Sequence, residues 1–340
     1  IKDMKETPDK KLSIIDVAKL AGVSTATVSR VLNGNGGYSK KTEEKVLRTV
    51  KECGFTPNGN AVSLRTNRSH CIGVIVPDIT NEFFAKIIHE LDIFFLEHHY
   101  SLLICDSNED YELEDMYIHN LIQKNVDGII YISGQDEIKN ISSVETIPIV
   151  YIDRCPKNAK VLIQSDNEEG GYLATRELLE RGCRNILLMR DLRYASTIRQ
   201  RKAGYLRALE EAGVPYNGKL EIGIFPDYED ARIMMERVLK VMGCYFDGIF
   251  ATNDRIALAC IQVLMQHGYR VPEDVKVVGF DNVSLTEFCN PSITTITQDT
   301  RSIALAAGKS VLDLINHKKI KEKMTVIPVA LEQRRSTETV

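Results

Sequence analysis

The stretch from Ser13 to Gly34 can satisfy its apolar positions only as two short helices meeting at a glycine. Ile14, Val17, Ala18 and Ala21 fall at i, i+3, i+4 and i+7, which gives the first helix one apolar face, and Ser13 with Asp16 reads as its N-cap. Gly22 permits the sharp turn, Ser24 is placed to cap the second helix, and Val28, Val31 and Leu32 form that helix's narrow buried stripe. Thr25, Ala26, Ser29, Arg30 and Asn33 share the opposite face. Short side chains let a backbone sink into a groove about 12 Å wide, and Arg30 is long enough to offer a forked donor to guanine. The expected DNA contacts are Ser24, Thr25, Ala26, Thr27, Ser29, Arg30 and Asn33. A third amphipathic helix, led by Thr42 with Glu43 and Glu44 in its first turn, brings Val46, Leu47, Val50 and Cys53 to close a small core.

Charge follows the same division. In residues 1–70 thirteen Lys and Arg stand against seven Asp and Glu, while the chain as a whole has a net charge of −4. A basic head on an acidic body suits a phosphate-binding module joined to a ligand-sensing one. The 340 residues have room for the head and about two further domains. No apolar run of about 20 residues is present to span a membrane, and the start of the sequence is polar, so a cytoplasmic protein without membrane contact is expected. The eight cysteines form no Cys-x-x-Cys pair and the seven histidines lack ligand spacing; reduced thiols, no metal and no cofactor are expected. No Gly-x-Gly-x-x-Gly, phosphate loop, Gly-x-Ser-x-Gly elbow or His-Glu-x-x-His pair supports an enzyme.

From residue 72 the chain alternates β-branched runs, at 72–77, 101–106, 128–133 and 147–153, with helical patterns at 81–98 and 111–125. A second set of candidate strands lies at 161–165, 185–190, 220–225, 248–252 and 275–280. Near-continuous apolar strands between helices imply parallel sheets covered on both faces, hence two α/β lobes in tandem. Ligands in such sheets bind beyond the carboxyl ends of the strands, where this chain carries Asp78 to Phe84, Asp106 to Asn108, Asp153-Arg154, Asn253-Asp254 and Asp281-Asn282. Carboxylates, amides, a forked guanidinium and aromatic faces match the bidentate hydroxyls and apolar C–H face of a sugar.

The run from Asp16 to Gly34 closely resembles the amino-terminal signature of the lac repressor family, and residues 71–335 resemble the type I periplasmic sugar-binding fold. The resemblance implies an N-terminal all-α helix-turn-helix head at 13–56, a hinge at 57–70, and an α/β two-lobed, periplasmic-binding-protein-like body at 71–335, and the polar residues 1–12 before the head read as a disordered tail. Its lobes would be discontinuous, with crossings near 153–160, 281–292 and 318–326. Read by itself, the segment from Pro57 to Thr66 is a polar linker too short to be helical alone. By resemblance it is a hinge helix formed on DNA, with Leu64 as a minor-groove wedge and Arg65 on a phosphate or groove edge. The family pattern points to Phe83, Phe84, Thr197, Arg201, Tyr228, Asn253 and Asp281 for the effector, with Arg201 preceding Ala203-Gly204-Tyr205, and the strand-end position adds Asp153. Ala195 stands where purine-binding members carry an arginine, which favours a sugar or sugar phosphate over a purine. The implied protein is a homodimeric regulator, expected to be a repressor, on double-stranded operator DNA. Inducer or corepressor behaviour, and the binding of a protein corepressor, stay open. A free sugar-binding protein of the same body fold is the rival reading, and it leaves the head unexplained.

Overall fold

A computed structural model describes residues 12–32, 36–55, 68–132, 147–154, 159–193, 195–320 and 322–338. The chain divides into two compact units, Ile1–Ser69 and His70–Val340. In the first, α1 (Ile14–Ala21) opens with a capping box: Ser13 N–H donates to Asp16 Oδ2 at 2.9 Å and Asp16 N–H to Ser13 Oγ at 3.4 Å. Gly22 ends it in the left-handed conformation, φ 60°. Ser24 Oγ accepts the Thr27 N–H at 3.1 Å at the start of α2 (Thr25–Leu32). The third helix, α3 (Lys40–Cys53), starts two residues before the expected Thr42, because Ser39 accepts the Thr42 N–H and so acts as the cap. Val17, Ala18, Ala21, Val28, Val31 and Val46 are buried together, with Val50, Cys53 and Tyr38 packed around them. Leu47 does not join this core and is 48% exposed. Val46, Val50 and Cys53 share one face at i, i+4 and i+7, and Leu47 is turned about 100° away from it.

The second unit holds two parallel sheets. Strands β1 (Cys71–Val76), β2 (Ser101–Asp106), β3 (Gly128–Tyr131), β4 (Ile149–Ile152), β5 (Leu162–Ser165) and β11 (Met324–Ile327) form the first, in the order β11-β5-β4-β3-β1-β2. Helices α4 (Glu82–Glu97) and α10 (Thr300–Ile315) cover one face through Phe83, Phe84, Leu91, Ala304 and Val311, and α5 (Tyr111–Gln123) covers the other through Ile118 and Leu121. The second sheet runs β7 (Glu221–Ile224), β6 (Ile186–Asp191), β8 (Gly248–Ala251), β9 (Lys276–Val278). Helices α6 (Asn167–Glu180) and α7 (Ser196–Glu211) pack on one face, and α8 (Tyr228–Met242) and α9 (Asp254–Gln266) on the other. An antiparallel pair, β10 (Thr295–Gln298) with β12 (Val329–Glu332), continues it through bridges Val278–Thr294 and Asp281–Thr297.

Two expectations change. The strand at 161–165 belongs to the first lobe, since Leu162 and Ile163 pair with Tyr151 and Ile152 while β11 pairs along its other edge. The chain therefore crosses between lobes at Asp166, Asp299 and Pro328, each later than the expected 153–160, 281–292 and 318–326. The resemblance placed them earlier in the chain, but the crossings are one-residue links between consecutive elements. The second lobe also extends past residue 335, because Ser336 and Thr337 are fully buried. Among the described residues the seven cysteines are free thiols, no cluster of His, Cys, Asp and Glu could hold a metal, and no helix is long and apolar enough to cross a membrane.

Candidate functional site

Both sheets direct the carboxyl ends of their strands toward one cavity of about 430 Å³, within the range of roughly 300–1,000 Å³ usual for small-molecule sites. Asp78 follows β1, Asn108 and Glu109 follow β2, Asp153 and Arg154 follow β4, Asp191 ends β6, Phe225 follows β7, Thr252 and Asn253 follow β8, and Asp281 follows β9. Asn108, Glu109, Asp153 and Asp281 have φ of 47°, 60°, 68° and 106°, a conformation that non-glycine residues hold only when their surroundings fix it.

Arg201 is buried at 5% exposure in the cavity lining. Its Nε donates to Asn167 Oδ1 at 2.8 Å, one terminal nitrogen donates to the Thr252 carbonyl at 2.5 Å, and its guanidinium lies 3.6 Å from the Phe280 ring centroid. The same terminal nitrogen is 3.7 Å from Asp281 Oδ1. Two glycines allow this placement. A Cβ on Gly204 would meet the Glu168 carbonyl oxygen at 2.0 Å, and one on Gly171 the Arg201 carbonyl oxygen at 2.0 Å, so α6 and α7 touch backbone to backbone at the level of Arg201. Burial lowers the Arg201 pKa, with Asp281 and Asp153 opposing the shift. It raises those of Asp153 and Asp281, against the charge of Arg201. Asp281 Oδ1 accepts from Gln298 Nε2 at 2.7 Å, and Asp153 Oδ1 has no hydrogen-bond partner among the described residues.

Phe83 and Phe84 line the cavity from the first lobe, and Phe225, 53% exposed, from the second. Thr197 lines it from α7. Asn253 lines it too, but its side chain already caps α9 through the Ile256 N–H at 2.8 Å and donates to the Pro226 carbonyl at 3.3 Å. Tyr228 does not line the cavity. Asp227 is the N-cap of α8, so Tyr228 begins that helix, packs on the core of the second lobe and donates its hydroxyl to Gln262. Ion pairs cross the mouth: Arg193 to Glu109, which also receives Arg154 at 3.3 Å, and Arg255 to Asp78 at 3.2 Å.

In the head, Ser24, Thr25, Ala26 and Arg30 are exposed and Ser29 is half-buried. Thr27 shares its hydroxyl with Ser24 Oγ at 2.9 Å, inside the cap. Lys19, Lys40, Lys41, Lys45 and Arg48, on α1 and α3, are also exposed, so the unit carries several solvent-facing cations. Asn33, Leu64 and Arg65 lie outside the described residues.

Residues 13–58 match the family "Bacterial regulatory proteins, lacI family", and residues 175–337 match "Periplasmic binding protein-like domain". The HTH-type transcriptional repressor PurR of Pasteurella multocida (strain Pm70) is 33% identical over 310 residues, covering 90% of this chain and 92% of the relative. The chain belongs to the lacI family. Among solved structures, the lac repressor dimer bound to operator and the anti-inducer ONPF superposes with a TM-score of 0.89 at 25% identity, covering 97% of this chain and 100% of that one. The transcriptional regulator CelR–cellobiose complex superposes at 0.70 with 28% identity, over 96% and 99%. As a lacI-family member the protein is a DNA-binding regulator and not an enzyme.

Within this lacI-family fold, the structure brings together Phe83, Phe84, Asp153, Thr197, Arg201, Asn253 and Asp281 and leaves Tyr228 aside. Sequence reasoning missed Glu109, Asp191, Arg193, Phe225 and Arg255. Applying the strand-end rule to the ends of β6 and β7 reaches Asp191 and Phe225. Glu109 lies one residue past the strand end at Asp106–Asn108, while nothing local marks Arg255; the partners of Glu109 lie 45 and 84 residues away in the sequence and Asp78 lies 177 from Arg255.

Proposed function

We propose that this lacI-family chain is a transcriptional repressor whose affinity for operator DNA is set by a sugar or sugar phosphate held between the two lobes. One observation carries the reading: a buried Arg201 flanked by the Asp153 and Asp281 carboxyls, with Phe83, Phe84 and Phe225 on the cavity walls. Planar donors and acceptors beside apolar rings match a pyranose or furanose, and a related regulator was solved with cellobiose. Thr25, Ala26, Ser29 and Arg30 are assigned to the major groove, and Leu64 and Arg65 to the hinge contact. A homodimer, working in the cytoplasm where its DNA is, would present two heads to a two-fold operator. A ligand that changes operator affinity 100- to 1,000-fold needs about 3 to 4 kcal/mol of differential binding between lobe arrangements, which a few cleft hydrogen bonds can supply.

The similarity to PurR proteins favours a second reading, a purine effector at the same site. The two are separated by a thermal-shift and titration panel of D-ribose, D-glucose, cellobiose, sugar phosphates, hypoxanthine and guanine. Stabilisation by a carbohydrate, lost in Arg201→Ala while binding to a selected operator duplex persists, is the expected result. Stabilisation by purines alone replaces the sugar reading, and an Arg201→Ala protein that responds at unchanged ligand concentration removes the site.

A further inference from the structure

We propose that Glu109 is a built-in anion that makes the cleft select an uncharged polyol: it occupies the two guanidiniums, Arg154 and Arg193, that a phosphate or carboxylate would need. The proposal rests on the carbohydrate reading of the cleft and narrows it to sugars without a phosphate.

Both carboxylate oxygens of Glu109 are used. Arg154 donates to them through its two terminal nitrogens, each at 3.3 Å, and Arg193 donates to Oε2 from the other lobe. The Arg193 guanidinium is completed by Asp191, at 2.7 and 3.0 Å. The three side chains of the cluster are only 13–25% exposed, so their charge-assisted hydrogen bonds are partly withdrawn from water, which strengthens them. The loop is also bent to present the carboxylate: Asn108 and Glu109 both have positive φ. Across the cavity Arg255 is held by Asp78 and by the Thr80 carbonyl, at 3.2 and 2.5 Å.

The described lining thus sets six carboxylates against four guanidiniums, each of which has a carboxylate within 4 Å. An incoming anion has to displace one of these carboxylates and then sit beside it. A hydroxyl does neither, because it accepts from a guanidinium edge and donates to a carboxylate at once.

The test uses full-length protein, wild type, Glu109→Gln and Glu109→Asp, titrated with inorganic phosphate, D-glucose 6-phosphate and D-glucose. Glu109→Gln is expected to bind inorganic phosphate at least tenfold more tightly than wild type, and Glu109→Asp, which keeps the charge, to match wild type. Phosphate taken up by the basic head is common to all three proteins and cancels. On wild type alone, any sugar that binds should do so at least tenfold more tightly than its own phosphate ester, a comparison that stands even where Glu109→Gln fails to fold. A phosphate ester binding as tightly as its parent sugar, or a folded Glu109→Gln with no gain for phosphate, overturns the proposal. If no sugar binds, the carbohydrate reading fails by itself, and phosphate binding by the variants still decides the role of Glu109.

Discussion

Asp153 and Asp281 hold their protons more tightly than ordinary carboxyls because burial removes the water that would solvate their charge. The sign of the pH dependence follows. Above the ordinary value of 3.8 and below the raised native values, the folded protein binds more protons than the unfolded chain, so this pair makes ligand-free stability fall as pH rises through that window. Hydroxyls that donate to the ionised carboxyls release those protons, so effector affinity should rise with pH over the same window, and Asp281→Asn should flatten the profile. Titration in two buffers of different ionisation enthalpy measures the released proton directly. The aromatic wall makes a second prediction. Phe225→Ala should weaken effector binding by about 1 kcal/mol, roughly fivefold, through lost ring contact, whereas Tyr228→Ala should leave affinity unchanged because its ring packs outside the cavity.

The α6–α7 contact fixes Arg201 before any ligand arrives. A methyl on Gly204 would lie 2.0 Å from the Glu168 carbonyl oxygen and 2.4 Å from the Tyr172 nitrogen, both backbone atoms unable to yield without moving a helix. Gly204→Ala should therefore destabilise the body by at least about 2 kcal/mol in urea unfolding and abolish the effector response, with operator binding by the separate head retained wherever the protein stays folded. The helix-turn-helix depends on smaller local terms. Ser24→Ala removes the acceptor for the Thr27 N–H and should cost about 1 kcal/mol of head stability, read by thermal denaturation of the head signal.

Residues 333–338 are part of the second lobe and reach the residue next to Asp281. Glu177, 2% exposed, accepts from Thr337 Oγ1 at 2.9 Å, Gln333 Nε2 at 2.8 Å and Arg181 Nε at 2.9 Å. Arg334 donates to Asn282 Oδ1 at 2.9 Å, next to Asp281. Truncation after Glu332 should leave the Glu177 carboxylate short of two donors and lower stability by about 3 kcal/mol in urea unfolding. It should also weaken effector binding, since Asn282 and the left-handed turn at Asp281 lose their support. A truncated protein with unchanged stability and affinity would show that the tail only covers a finished lobe.

Periodicity and strand-end chemistry were legible in the sequence because they are local: Val17, Val28 and Val46 mark helix faces, and Asp153 and Asp281 directly follow apolar strands. Tyr228 shows the opposite case, since whether Phe225 or Tyr228 lines the cavity depends on where Asp227 caps the helix. The sequence by itself determined a DNA-reading helical head and a two-lobed α/β body, since hydrophobic spacing selects the elements and their stacking. Only the tertiary structure decided which lobe owns the strand at 161–165, how Gln333 and Thr337 pack on Glu177 of the second lobe, and that Glu109 meets Arg193 across the cleft. Those contacts join segments distant in sequence, and their energy exists only once both sheets have formed and excluded water between them.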